Sequence, residues 1–219
     1  MKSLSRRKLL KWSMAGGVMG TFTAKGSLAK VLLPTPPEVE GPFYPVTPQN
    51  DKDFDLTRVE GRKGVAEGKH IIVMGNVMDT QGQPVPLATV ELWQANAKGR
   101  YRHPRDPNSA PLDPNFQGWA VILTDENGAF RFKTVMPGAY PASKTWVRPP
   151  HIHFKVSKKG YSELTTQMYF PDEALNETDL LLNEKKPSER LLMIARKSGP
   201  SETEALDTYE YTIVLKQKL

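Results

Sequence analysis

The sequence predicts an all-β protein, an antiparallel β-sandwich with an extended N-terminal arm and few short helices. Seven short segments between residues 70 and 215 alternate in hydrophobicity or are rich in β-branched and aromatic residues, and turn-forming residues separate them. Only two segments have a helical pattern. The composition agrees, because 38% hydrophobic residues with 19 Pro and 16 Gly in 219 residues is typical of a globular chain with many turns.

The first 29 residues carry the excess positive charge of the chain. They hold six of the 30 Lys and Arg residues and no acidic residue, so the rest of the chain has 24 basic and 24 acidic residues. The net charge of +6 therefore belongs to this segment. A formally neutral remainder argues against a nucleic-acid partner.

The same 29 residues have the layout of an export signal. A basic start with Arg6-Arg7 precedes the apolar run Trp12–Ala24, and Ser27-Leu-Ala29 has the small residues expected of a cleavage site. The paired arginines resemble the twin-arginine signal, which predicts export to the periplasm or beyond. The alternatives are a cytosolic amphipathic helix or an uncleaved anchor, but the apolar run is too short to span a bilayer stably.

Residues 30–68 are expected to form an extended arm that lies on the domain. Six prolines between residues 34 and 48 prevent a regular helix there. The predicted organisation is therefore an export signal at residues 1–29, the arm at 30–68 and a β-sandwich domain at 69–219.

The strands of the domain follow from hydrophobic alternation and turn residues. In the second strand, Val90 and Leu92 lie on the face opposite to Trp93. Asp125-Glu-Asn-Gly128 is a hairpin signal before the fourth strand. The predicted strands are His70–Asp79, Ala88–Trp93, Ala120–Leu123, a strand through Phe130 and Phe132, His151–Val156, Leu164–Phe170, and Tyr209–Leu215, in which alternate residues share one apolar face.

Two segments near the C-terminal end are predicted to be helical. Glu173–Asn183 is short and broken. Ser188–Arg196 begins with Ser188 as the N-cap and carries three apolar residues, Leu191, Leu192 and Ile194.

The candidate functional residues begin with a His-x-His pair. On a strand, His151 and His153 project from the same face while Ile152 points into the core, so the two imidazoles can bind one metal ion. The chain has no Cys, which excludes disulfides, thiolate nucleophiles, Cys-zinc sites and iron–sulfur clusters. No carboxylate lies within nine residues of the pair. Phenolates are the remaining anionic donors, and only a strongly Lewis-acidic ion such as Fe(III) ionises tyrosine at neutral pH.

Six segments between residues 40 and 171 then carry a family resemblance. They are Gly41–Pro45, Glu91–His103, Leu123–Asp125, Pro137–Pro141, Arg148–Phe154 and Thr166–Pro171. In this order they resemble the intradiol ring-cleaving dioxygenases, and the protocatechuate 3,4-dioxygenase branch more than catechol 1,2-dioxygenase. The family's activity is cleavage of a catechol-type ring with O2 to a cis,cis-muconate.

The resemblance implies a mononuclear non-haem Fe(III) and a role for each site residue. Tyr140 is the phenolate expected to leave the metal when an aromatic diol binds, and Arg148 and Gln167 are expected beside that substrate. Tyr44 is expected at the mouth of the pocket. The implied metal ligands are Tyr101, Tyr140, His151 and His153.

Ordinary structural roles remain open for several of these residues. Arg148 can instead pair with a surface carboxylate, Gln167 can be a strand-edge amide, and Tyr44 can simply hold the arm on the domain. His103 is interpreted as a loop residue or a support for Tyr101, and His70 as a strand-start residue without a role in the site.

Two other functions also fit parts of the pattern. A non-catalytic binding module of the transthyretin-like kind explains the strands but gives no reason to keep two tyrosines and two histidines together. A copper or zinc enzyme would use only the His-x-His pair.

Departures from the family pattern fall on the pocket wall. Ala142 stands where many protocatechuate-type members have Trp, and the stretch from Tyr140 to His151 is shorter than in the typical β-type subunit. We expect both to affect which ring substituent is accepted. The resemblance also implies a homo-oligomer or a related, iron-free partner subunit.

Overall fold

The structure, a computed structural model, describes residues 31–49, 51–200 and 205–218. The predicted export signal, residues 1–29, lies outside the described residues. None of the helices in the described part is long and apolar enough to cross a membrane.

The described residues form eleven strands and three short helical segments, which confirms the all-β prediction. The predicted broken helix at Glu173–Asn183 is a 3-10 helix (Ala174–Thr178) followed by α1 (Leu180–Asn183), and α2 is Pro187–Arg190. The strands are β1 (His70–Asp79), β2 (Thr89–Trp93), β3 (Trp119–Leu123), β4 (Ala129–Val135), β5 (Tyr140–Pro141), β6 (Val147–Arg148), β7 (His151–Ser157), β8 (Leu164–Tyr169), β9 (Arg196–Pro200), β10 (Asp207–Glu210) and β11 (Ile213–Leu215).

Two sheets form the sandwich. In the first, β1 pairs with β4 along one edge and with β10 and then β11 along the other, and β9 pairs with β10. The second has the order β3-β2-β7-β8 and is antiparallel throughout, and β5 and β6 form a separate hairpin. The β1–β10 and β1–β11 pairs are parallel, unlike the antiparallel arrangement that we expected. Most of the domain separates β1 from β10, so no tight hairpin forces these strands to be antiparallel.

The main core lies between the two sheets. The rings of Phe130 and Phe132 lie 5.8 and 6.4 Å from the ring of Phe154, measured between centroids. Ile152 is fully buried in the same core. Because residues of a strand alternate between faces, His151 and His153 project from the outer face of the second sheet.

The predicted helix Ser188–Arg196 is wrong beyond its first turn. Helix α2 ends at Arg190, its N-cap is Lys186 rather than Ser188, and Arg196 begins β9. The intervening backbone bonds to β8 instead, since Tyr169 N donates to Met193 O and Ala195 N donates to Tyr169 O, at 2.8 and 2.9 Å. Pairing with a buried strand therefore replaces helix propagation.

The predicted last strand is two strands, β10 and β11, separated at residues 211–212. The backbone of Tyr211 approaches β1 closely at this break, where a Cβ on Gly75 would lie 1.9 Å from Tyr211 O. The expected burial of alternate residues from Tyr209 to Leu215 is confirmed.

The N-terminal arm crosses both sheets without forming a helix in its described residues. Thr35 N donates to Val214 O of the first sheet, and Glu38 N donates to Thr165 O of the second, at 3.1 and 2.9 Å. This path brings Phe43 and Tyr44 over the outer face of the second sheet, where they pack against a buried aromatic cluster.

Candidate metal centre

The outer face of β7 supplies the two histidines of the site. His153 lies in register with Trp93 of β2 on one side and Gln167 of β8 on the other, and His151 lies in register with Tyr169. The indole of Trp93 stacks on the His153 ring, with centroids 4.8 Å apart and planes 12° apart. Both histidines are buried, with ring centroids 4.9 Å apart.

Tyr101 reaches the two histidines from the loop between β2 and β3. Asn96 shapes this loop, because its side-chain oxygen accepts hydrogen bonds from the amides of Lys98 and Arg100. The Tyr101 amide donates to Asp106 at 2.7 Å. The Tyr101 hydroxyl oxygen then lies 3.4 Å from Nε2 of His151 and 3.2 Å from Nε2 of His153.

Tyr140 begins β5 and completes the group of four. Its ring centroid lies 5.5 Å from that of Tyr101 and 5.7 Å from that of His151. The loop before Tyr101 and the loop before Tyr140 touch through two glycines, since a Cβ on Gly138 would lie 2.4 Å from the Gly99 nitrogen. The structure therefore brings all four proposed ligands together.

The Gly99→Ala variant is expected to weaken this contact between the two tyrosine loops. Gly99 has a φ of 76°, and an added Cβ would lie 2.3 Å from the Ala139 carbonyl oxygen. We expect a loss of more than about 1 kcal/mol in the free energy of unfolding, measured by urea denaturation, together with weaker iron binding. Gly61→Ala is the control, because it has a similar φ but nothing within 4 Å of its Cβ. Equal iron affinity in the two variants would show that the Gly99 contact does not position the tyrosines.

Both imidazoles are neutral at neutral pH. Burial, with added repulsion from Arg148, lowers the pKa of His153 to about 3 and the pKa of His151 well below its usual value. Nδ1 of His151 lies 2.7 Å from the Pro149 carbonyl oxygen. Because a carbonyl oxygen only accepts, Nδ1 is the protonated nitrogen and donates a hydrogen bond to it. The lone pair on Nε2 therefore faces Tyr101 and is free to bind a metal.

The tyrosines of the site need a strong Lewis acid to ionise. Burial raises the pKa of Tyr101 well above its usual range, and burial also raises the pKa of Tyr140 although Arg148 opposes this. Among the described residues, no group of three or more His, Cys, Asp or Glu is placed to bind a metal, so a metal ion at this position would need phenolate ligands. Two neutral imidazoles beside two buried phenols fit a trivalent ion, because such an ion is able to ionise the phenols.

Arg148 lies beside these ligands in a buried polar cluster. Its Nε donates to Asp179 at 2.8 Å, and its Nη2 donates to Gln167 and to the Tyr169 hydroxyl, both at 2.8 Å. Burial alone would lower the pKa of Arg148, but Tyr169 and Asp179 outweigh it and raise the pKa above its ordinary value. Arg148 also lies opposite Tyr140 across the β5–β6 hairpin, and its positive charge acts against burial to lower the pKa of Tyr140. Arg148 is therefore a fixed positive charge beside the candidate metal ligands, and it is paired with a buried carboxylate rather than a surface one.

Sequence reasoning missed Asp179 and Tyr169. Asp179 is the N-cap of α1, where its side chain accepts a hydrogen bond from Leu182 N at 2.9 Å. An acidic residue directly before the run Leu180–Leu182 is a capping signal that the sequence contains. Nothing in the sequence shows that the cap faces Arg148.

The other candidate residues take supporting positions. Gln167 is fully buried, and its Nε2 donates to the Val39 carbonyl of the arm at 2.9 Å. Tyr44 packs edge-on against Trp93 at 5.1 Å and does not line the cavity described next, whereas its neighbour Phe43 does. The ring centroids of His103 and Phe43 are 5.7 Å apart. Nε2 of His70 lies 2.8 Å from the Ala66 carbonyl oxygen.

A cavity of about 300 Å3 opens onto the candidate ligands. Its volume is at the lower end of the range of about 300–1,000 Å3 usual for small-molecule sites. Tyr140, His153 and Arg148 form its polar end. The remaining lining residues are Val39, Gly41, Pro42, Phe43, Pro107, Pro141, Ala142, Trp146 and Leu181.

Comparison with known protein sequences identifies the family. Residues 39–217 match the family described as "Dioxygenase". The protocatechuate 3,4-dioxygenase beta chain of Burkholderia cepacia is 42% identical over 181 residues, covering 80% of this chain and 76% of that relative. The catechol 1,2-dioxygenase of Acinetobacter baylyi is 35% identical over 147 residues, covering 61% of this chain but only 45% of that relative.

Solved structures have the same fold. The dioxygenase domain of a dioxygenase–carbohydrate-binding fusion from Streptomyces sp. SirexAA-E aligns with a TM-score of 0.63 at 26% identity, over 84% of this chain and 99% of that chain. The 3-chlorocatechol 1,2-dioxygenase of Rhodococcus opacus 1CP aligns with a TM-score of 0.63 at 25% identity, over 82% and 71% of the two chains. Sequence and structure together show that this chain belongs to the intradiol ring-cleavage dioxygenases.

Proposed function

We propose that the protein binds one Fe(III) through Tyr101, Tyr140, His151 and His153 and cleaves a catechol-type ring with O2 to a cis,cis-muconate. The observation that carries the proposal is the convergence of Tyr101 on both histidines, with its hydroxyl oxygen within 3.4 Å of each Nε2. A binding module has no structural need for this buried arrangement. The adjoining cavity of about 300 Å3 supplies room for one aromatic ring.

The side chains around the cavity have separable tasks. When bound, ferric iron supplies the Lewis acidity that ionises phenols and draws electron density from a catecholate ring. Tyr140 lies at the cavity surface, so its phenolate oxygen is placed to take the proton from a substrate hydroxyl. Arg148 lies opposite Tyr140 in the β5–β6 hairpin and lines the same cavity, so it is positioned to stabilise negative charge that develops on the ring. The apolar walls exclude water from the reacting ring.

Product analysis tests the proposed reaction. Purified protein loaded with ferric iron is expected to consume one O2 per catechol and to release cis,cis-muconate with both atoms of O2 incorporated, measured by oxygen electrode and by mass spectrometry with 18O2. A semialdehyde product would indicate cleavage outside the diol and would contradict the proposal.

Export is a second part of the proposal, supported by the basic leader with Arg6-Arg7. We expect the enzyme in the periplasm or medium of a host with twin-arginine transport. Changing both arginines to Lys should retain it in the cytoplasm, as measured by cell fractionation. Equal export of both forms would contradict twin-arginine transport.

Assembly is a third part of the proposal, since the Burkholderia relative is named as a beta chain. We propose that this chain forms a homo-oligomer or pairs with a related subunit. Light scattering of the purified chain is expected to give a mass above 24.5 kDa, the mass of one chain. A monomer that is fully active without any partner would contradict this part.

A further inference from the structure

We infer that the cavity selects catechols whose ring substituent is uncharged and apolar, and that it disfavours a ring carboxylate. This inference rests on the proposed function, because it specifies the substrate class of the same site. It concerns the walls of the cavity rather than the metal ligands.

The walls beyond the polar end of the cavity are apolar on every side that the described residues form. The arm contributes Pro42 and Phe43, the β5–β6 hairpin contributes Ala142 and Trp146, and α1 contributes Leu181. The indole Nε1 of Trp146 is buried without a hydrogen-bond partner among the described residues. This group is neutral, so it is able to hydrogen bond to an oxygen but not to neutralise a carboxylate.

The only charged residue in the described lining, Arg148, is already paired. Its Nε and Nη2 donate to Asp179, whose side chain is fully buried, and the same Nη2 also donates to Gln167 and Tyr169. The Arg148–Asp179 pair has no net charge. A carboxylate entering the cavity would therefore compete with a buried carboxylate that is held in place by its capping bond to α1.

Charges near the rim do not favour an anion either. Glu38 and Glu40 flank Val39 of the wall, and each forms an ion pair with a lysine, Lys185 at 3.2 Å and Lys155 at 3.1 Å. Lys144 is exposed in the β5–β6 turn and does not line the cavity. An anionic substituent would consequently lose its hydration without gaining a charged partner that is not already paired, whereas an alkyl substituent gains from burial.

Anaerobic binding measurements test the inference apart from turnover. The ferric-loaded protein would be titrated without O2 with catechol, 4-ethylcatechol and protocatechuate, by visible absorption and by calorimetry. We expect 4-ethylcatechol to bind at least about tenfold more tightly than protocatechuate. Equal or tighter binding of protocatechuate would overturn the inference. Lack of binding and cleavage of all three would instead overturn the proposed function.

A charge introduced in the wall gives a matched test. Ala142 is exposed and lines the cavity. Ala142→Arg is therefore expected to increase the affinity for protocatechuate at least about tenfold relative to the affinity for 4-ethylcatechol. Leu191→Arg places the same charge at a residue that is 74% exposed and outside the lining, and should leave the ratio unchanged. Lys144→Ala should also leave it unchanged. An unaltered ratio in Ala142→Arg, or a large loss of protocatechuate affinity in Lys144→Ala, would contradict the inference.

Discussion

The Tyr101→Phe variant is expected to lose stoichiometric iron and all measurable ring-cleavage activity. The hydroxyl that it removes lies within 3.4 Å of Nε2 of both His151 and His153. Mutating a residue that only supports a metal ligand typically lowers metal affinity about 10–100-fold. Loss of a ligand should cost more than about 100-fold, measured as iron per protein after dialysis against a chelator. His151→Ala is expected to behave in the same way.

Matched variants separate loss of a ligand from loss of fold. Tyr211 is a buried tyrosine of the main core, and Tyr211→Phe should keep full iron content. His70 lies at the start of β1, and His70→Gln should do likewise. If Tyr101→Phe folds normally by circular dichroism and still binds iron like these controls, the ligand set is wrong. If only the histidine variant loses metal, a copper or zinc site on His151 and His153 would be favoured instead.

The Asp179→Asn variant is expected to lose roughly 3–5 kcal/mol in the free energy of unfolding. The side chains of Arg148 and Asp179 are only 4% and 0% exposed, so the variant leaves a buried guanidinium without its counter-charge. Asn is a good N-cap, so the cap of α1 is largely preserved and the loss reports mainly on the ion pair. Urea denaturation of the apoprotein measures the effect without any contribution from iron.

A surface pair provides the comparison. Arg196 and Glu210 form an ion pair in which Arg196 is largely exposed, and Glu210→Gln should cost less than about 1 kcal/mol. The double variant Arg148→Met with Asp179→Leu removes both buried charges and should be more stable than Asp179→Asn. A loss in Asp179→Asn no larger than that in Glu210→Gln would show that Arg148 is not held by this carboxylate.

Much of the site could be predicted because strand geometry is local. A period of two places His151 and His153 on one face and Ile152 on the other, and burial of Ile152 in the core confirms this. The same alternation separates Trp93 from Val90 and Leu92. The two tyrosines do not follow from local geometry, and their assignment depended on the family resemblance.

What the sequence did not reveal depends on contacts between distant segments. Asp179 meets Arg148 only because the 3-10 helix directly before Asp179 packs against β6, and no local pattern encodes that approach. The segment after Arg190 carries a helix-like apolar pattern, but pairing of its backbone with Tyr169 determines its structure. The parallel pairs of β1 with β10 and β11 likewise arise from the order of strands in the sheet.

The visible spectrum of the ferric-loaded protein tests the central claim most directly. Two phenolates on Fe(III) should give a red-brown colour from tyrosinate-to-iron charge transfer, with one iron per chain by metal analysis. The band should shift when catechol is added without O2, because a bound diol would replace the Tyr140 phenolate under this assignment. A colourless protein that holds stoichiometric zinc, or that binds no metal after ferric reconstitution, would contradict the assignment of Tyr101, Tyr140, His151 and His153 as an iron site.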